Sequence, residues 1–306
     1  MIEAVNEVID ISKKAKIPIQ ISHHKAAGRE NWGKVEKTIE IIEKSRKKGL
    51  DITLDQYPYT AGYTFLSALL PGWVHSEGVK ELIKKLKIKE IREQIKKEML
   101  LMLSDDKSDT ENLFHSADGC WKNIMISYCK KNKQYEGKTI DVIAKEENKD
   151  CFDVLFDILV EEEAVVTIVM FSMREEDIQT VLRYPETIIG SDSGGIRGKT
   201  HPRSYGTFVR VLGRYVREKK LLTLEDAVRK MTFLPARRMG LKDRGVIKKD
   251  NYADLVIFDD KKVSDTATYI NPCSFPVGIK NVLVNGRVVL DNGKQNKNLF
   301  GEVLFR

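Results

Sequence analysis

Ile17-Pro18-Ile19-Gln20-Ile21-Ser22-His23-His24-Lys25 is a short apolar run that stops on imidazole and ammonium groups. Its alternation of isoleucine with polar residues predicts a strand. Upstream, Ile2, Val5, Val8, Ile9 and Ile11 recur at helical spacing over residues 2–15. Downstream, the loop from Ala26 to Gly33 leads into a helix over Val35 to Lys48, which Gly49 closes as a C-terminal cap. Leu50 to Asp55 reads as the next strand. Strand, loop, helix and strand in one stretch is the grammar of a parallel sheet, whose chemistry-bearing groups lie at the C-terminal ends of its strands. A strand ending on His23 holds that side chain on a rigid element facing a pocket, where metal binding and proton transfer need it. Ile188-Ile189-Gly190-Ser191-Asp192, far downstream, ends the same way on a carboxylate.

Between these two runs the texture changes. Residues 71–163 are rich in long charged helices, such as Lys80 to Met102, with one predicted strand at Ile124 to Ser127, and read as a helical insertion. The strand-helix-strand grammar is expected to resume with Val165 to Phe171, a helix over Glu175 to Leu182 and a strand from Thr187 to Ser191. Thr223-Leu224-Glu225-Asp226 then opens a helix reaching Thr232. After Gly240 helices stop. Asp254 to Phe258, Val282 to Val284 and Arg287 to Leu290 are β-prone, and Asn285-Gly286 between valines is a strong hairpin signal, because a type I′ turn needs positive φ at both central residues. The expected organisation is therefore a larger α/β unit over 1–240 and a small β module over 241–306.

Composition bounds the rest. A 306-residue chain with 42% hydrophobic residues can build a substantial core. Cys120, Cys129, Cys151 and Cys273 form no C-x-x-C pair, which fits a reducing cytoplasm and small buried hydrophobes rather than a disulfide framework. No apolar run approaches the roughly 20 residues of a membrane span. The net charge of +7 comes mainly from lysines set among glutamates on amphipathic helices, as in Ile41 to Lys48, so a solvated helix face is expected and not a nucleic-acid partner.

Six motifs occur in order: Ser22-His23-His24-Lys25-Ala26-Ala27-Gly28, Asp55-Gln56-Tyr57-Pro58-Tyr59-Thr60-Ala61-Gly62, Gly190-Ser191-Asp192, His201-Pro202-Arg203-Ser204-Tyr205-Gly206-Thr207-Phe208, Lys230-Met231-Thr232 and Tyr252-Ala253-Asp254-Leu255-Val256. Together they resemble the D-aminoacylase, or N-acyl-D-amino-acid deacylase, branch of the amidohydrolases over nearly the whole chain. The resemblance implies a partial (β/α)8 barrel, the C-terminal strands only, with a small C-terminal β-sandwich module. It implies that His23 is a metal-ligand histidine of the sixth strand. Asp192 becomes the eighth-strand aspartate, both general base and ligand to a second ion. Lys25, Tyr57 and Arg203 are implied to surround the substrate carboxylate or the scissile carbonyl. One or two Zn2+ ions and a small N-acyl-D-amino acid are the implied cofactor and substrate.

That chemistry makes sense independently. Amide hydrolysis needs a hydroxide and a stabiliser for the oxyanion, which zinc provides; a nearby carboxylate moves the proton; and a guanidinium fork suits a carboxylate. The family's His-x-His pair, zinc-holding cysteine and further histidine cannot be located here. An N-terminal half-barrel chain is accordingly expected as partner, and a truncated, catalytically inactive remnant serving as a binding module is the competing expectation. Two departures from the family pattern are Ser193 in place of glycine and Asp250-Asn251 before Tyr252. Taken without the motifs, His23 reads as a rim histidine and Asp192 as a turn aspartate. His24 points to the opposite strand face, Tyr59 belongs to the core, His201 braces its loop, and His75 and His115 lie on the surface.

Overall fold

Helix α1 (Ile2–Ala15) turns Val5, Ile9 and Ser12 inward and ends where Lys16 adopts a left-handed conformation. These belong to a computed structural model that describes residues 1–101, 103 and 113–304. Strand β1 (Ile19–Ile21) follows, then α2 (Lys34–Lys47), whose buried Val35, Thr38, Ile42 and Ser45 recur at three- and four-residue intervals and so form one stripe. Gly49 sits at φ +89° and its N–H donates to the Arg46 carbonyl, as a C-terminal glycine cap requires. Strand β2 (Ile52–Gln56) then pairs parallel with β1. Val5, Ile9, Val35, Ile42, Ile52 and Leu54 close over one another into a core.

The intervening segment departs from expectation. It holds β3 (Ala61–Phe65), α3 (Val79–Lys85), α4 (Lys89–Leu101), α5 (Leu113–Ser116), β4 (Ile124–Tyr128), α6 (Ile140–Glu147), α7 (Cys151–Glu161) and β5 (Thr167–Phe171). The long helix read from Lys80 is broken into α3 and α4, and its expected end at Met102 lies outside the described residues. Strand β5 does not resume the parallel sheet. It pairs antiparallel with β3 on one side and β4 on the other. The inserted segment thus has its own sheet, which begins at Ala61 and ends at Phe171, outside the 71–163 range. Ile124, Ile126, Ile168 and Met170 face the helices, while Ala61, Met125 and Val169 are buried on the other face. A strand covered on both faces reads as a continuous apolar run, and that pattern carries no strand direction.

Chain direction recovers with α8 (Glu175–Arg183) and β6 (Thr187–Ile189), which pairs parallel with β2 and gives the strand order β1-β2-β6. Helix α9 (Arg203–Arg210) was not expected from the sequence; it runs straight into a π-helical segment, Val211–Glu218. Next come α10 (Leu224–Met231), with the Thr223 side chain accepting the Asp226 N–H, and α11 (Phe233–Met239). The C-terminal module is one four-stranded antiparallel sheet, and this is what the structure has in place of an expected sandwich. Its strands β7 (Leu255–Phe258), β8 (Ile279–Val284), β9 (Arg287–Asp291) and β10 (Lys294–Gln295) lie in the order β10-β9-β8-β7. Asn285 and Gly286 have φ of +50° and +76°, the geometry the Asn-Gly hairpin demands. An apolar groove of about 1090 Å³ lies between β7 and helices α9, α10 and α11, lined by Leu212, Val228, Phe233, Ile247 and Leu255 among others.

Candidate active site

All three parallel strands deliver a polar group at the same end. Beyond β1 the backbone of His23 turns to φ +41°, and beyond β6 that of Asp192 turns to φ +48°, in the left-handed region that non-glycine residues seldom occupy. Asp55, near the end of β2, fixes the first of these turns. Its Oδ1 accepts the His23 N–H at 2.8 Å, its Oδ2 accepts the Gln20 amide at 2.7 Å, and its backbone carbonyl accepts the His24 N–H at 2.8 Å. Sequence reasoning gave Asp55 no role of its own; the available signal was an acid near the end of a largely buried strand.

From His23 a chain of contacts crosses the sheet end. Lys25 Nζ lies 2.7 Å from His23 Nδ1 and 5.7 Å from the centre of the Tyr57 ring. The Arg203 guanidinium stacks over the same ring at 4.6 Å, and its Nη1 donates to Asp192 Oδ2 at 2.9 Å. His23, Lys25, Tyr57, Arg203 and Asp192 are therefore brought together, although they are separated by up to 180 positions in the sequence. Arg203 is almost completely buried, whereas Asp192 is about two-fifths exposed. Two donors in this group lack protein partners: the Tyr57 hydroxyl and Arg203 Nε are buried without a hydrogen bond. Burial pushes the Tyr57 phenol well above its ordinary pKa, so it stays a donor at neutral pH.

Other residues fall where their surroundings dictate. His24 turns away from the site, its Nε2 2.9 Å from Thr38 Oγ1, and burial brings its pKa down to about 4. Tyr59 is buried beneath the Arg210 guanidinium. His75 is exposed, while His115 lies 3.5 Å from the Glu30 carboxylate. Ser193 donates to Ser204 Oγ at 2.9 Å. Cysteine burial is uneven: Cys129 is buried, but Cys273 is exposed, which corrects the expectation that all four are buried.

The donor set does not make a metal centre by itself. Among the described residues no group of three His, Cys, Asp or Glu side chains is placed to hold an ion. His23 Nδ1 is turned onto Lys25 and Asp192 Oδ2 onto Arg203, and a catalytic zinc takes three protein ligands. No helix among the described residues is long and apolar enough to cross a membrane.

Comparison with known proteins gives the family of the chain. Residues 125–290 match the model of the Amidohydrolase family. Over 306 residues the chain is 33% identical to a D-aminoacylase of Alcaligenes xylosoxydans xylosoxydans, covering 100% of this chain and 52% of the relative. It is 32% identical over 286 residues to an N-acyl-D-glutamate deacylase of the same organism, covering 94% of this chain and 48% of the relative. A D-aminoacylase crystal structure superposes with a TM-score of 0.73 at 31% identity, over 97% of this chain and 52% of that one. An N-acyl-D-glutamate deacylase from Bordetella bronchiseptica, complexed with zinc and a phosphonate mimic of the tetrahedral intermediate, gives 0.72 at 31% identity, over 94% and 50%. Another D-aminoacylase structure is described as having a binuclear metal centre. The chain spans about half the length of the curated relatives it matches.

Proposed function

The chain belongs to the amidohydrolase family, and from that premise we propose that it carries the substrate-gripping and proton-transfer groups of an N-acyl-D-amino-acid deacylase. The reaction is hydrolysis of the amide bond, giving a carboxylate and a free D-amino acid. The observation that supports this reading best is the continuous contact from His23 through Lys25, Tyr57 and Arg203 to Asp192 at one end of the parallel sheet.

In this reading the unpartnered Tyr57 hydroxyl and Arg203 Nε bind the substrate carboxylate, whose two oxygens satisfy two buried donors that the protein leaves open. Lys25 adds positive charge beside them. Asp192 accepts a proton from the attacking water and returns it to the amide nitrogen as the C–N bond breaks. The Arg203 ion pair keeps that carboxylate in place. His23 is the proposed metal-facing histidine. The described residues do not complete a site for one or two Zn2+ ions, so the reading has the remaining donors supplied by a segment equivalent to the half of the relatives that this chain does not match. The remnant reading is not favoured, since relatives matching the whole length of the chain are deacylases.

The test mixes the purified chain with the N-terminal half of a D-aminoacylase and zinc, and follows free D-amino acid released from N-acetyl-D-amino acids by chiral chromatography. Hydrolysis is expected in the mixture, with a loss of about 10²-fold or more in Asp192→Asn. Absence of hydrolysis in every combination, together with no measurable binding of any N-acyl-D-amino acid, would sink the proposal.

A further inference from the structure

His201 lies at the centre of the wall behind this site with 1% of its surface exposed. Four tyrosine rings surround it edge-on: Tyr59 and Tyr269 at 5.2 Å, Tyr57 at 6.2 Å and Tyr63 at 6.5 Å between ring centres. Both ring nitrogens are committed. Nε2 donates to the Ala61 carbonyl at 2.9 Å, and Nδ1 accepts the backbone N–H of Arg203 at 3.0 Å. These two bonds fix the neutral tautomer with its proton on Nε2.

The Nδ1 bond holds the first N–H of a helix. Pro202 has helical φ and ψ of −58° and −17°, and its carbonyl accepts the Gly206 N–H four residues on. Pro202 is thus the N-cap of α9, His201 stands just before it, and the His201 imidazole accepts the N–H of Arg203, the first residue of the helix. The residue that starts α9 is the same one whose guanidinium stacks on Tyr57 and pairs with Asp192. We propose that His201 is a positioning residue for Arg203: it holds the backbone N–H of Arg203 at the start of α9 and ties that helix start to Ala61 of β3, so that the guanidinium is held over Tyr57. The role rests on reading Arg203 as a substrate-gripping group.

The experiment follows the Arg203 Nε–H resonance in 15N-labelled chain, identified by its disappearance in Arg203→Lys, beside circular dichroism and the affinity for N-acetyl-D-amino acids. In His201→Ala the resonance is expected to move to the position of solvent-exposed arginines. His201→Asn keeps an acceptor for the Arg203 N–H and is expected to hold it. Affinity is expected to fall about tenfold or more in the alanine variant and to recover in the asparagine variant. An unmoved resonance in His201→Ala overturns the proposal, and so does its loss in both variants, which would mark a packing role only. Should the alanine variant not fold, His201→Gln decides, because it keeps a donor for Ala61 but no acceptor placed for the Arg203 N–H: a resonance held in Asn and lost in Gln supports the proposal, and equal behaviour in the two overturns it. A wild-type chain that binds no N-acyl-D-amino acid, while the resonance responds as described, removes the deacylase reading and leaves the positioning role standing.

Discussion

The two three-stranded sheets of this chain use similar strands in opposite ways. In β3-β5-β4 both faces are covered, and Phe114, Phe156, Leu66, Leu82 and Ile168 pack with no more than 1% exposure around a core that the inserted segment makes from its own residues. In β1-β2-β6 the strands are short and run directly into His23, Asp55 and Asp192, and the three are tied together by hydrogen bonds and stacked cations as much as by apolar contact. The difference shows that one part of the molecule derives its order mainly from packing, while in the other charged and polar groups meet and two buried donors, the Tyr57 hydroxyl and Arg203 Nε, stay open. Disturbances that remove volume should therefore act on the first, and disturbances that change charge on the second.

The largest expected effect is on the packed side. Phe156→Ala should lower unfolding stability by about 3–5 kcal/mol, because a buried aromatic removed from a close-packed core loses its transfer energy and leaves a cavity; urea denaturation measures it, and a loss below about 1 kcal/mol would break the comparison. Next comes acid. Burial brings His24 down to about 4 and His201 down to about 3 from an ordinary 6.5, so between pH 6.5 and those values the unfolded chain binds more protons than the folded one. Stability should be flat for these groups above pH 6.5 and fall as pH drops below it, by on the order of 3 kcal/mol at pH 4 from His24 alone. Hydrogen exchange at pH 7 and pH 4.5 would sharpen the contrast if amides of β1 and β2 lose protection before those of β4 and β5, and equal loss would dissolve it. Thr38→Val takes away the hydroxyl beside His24 Nε2 and should cost about 1 kcal/mol in a thermal melt at pH 7. The smallest effect belongs to the half-exposed C-terminal sheet, where Val288→Thr should stay within about 0.5 kcal/mol.

Much of this was readable from pattern. Helices α1 and α2, the Gly49 cap, the Thr223 cap and the Asn285-Gly286 turn each follow from spacing or from a residue with one conformational use. The site residues were legible because the motifs keep their order, not because anything local marks them. Three things were hidden for physical reasons. The direction of β5 was one, since Val166 to Phe171 would look the same buried in either sheet. Helix α9 and its continuation into a π-helical segment were another, because no Ser, Thr, Asp or Asn caps the start of that helix and π-winding is too rare to be expected from pattern. Last was the standing of His201, whose two bonds reach Ala61 and Arg203, one of them 140 positions away.

The register of β3 against β5 sets Ala61 directly opposite Phe171. The inserted segment therefore leaves and re-enters the rest of the chain side by side, and it is tied to that rest again at Arg29–Asp118 and Ser127–Lys199, so it is held at more points than its two chain crossings.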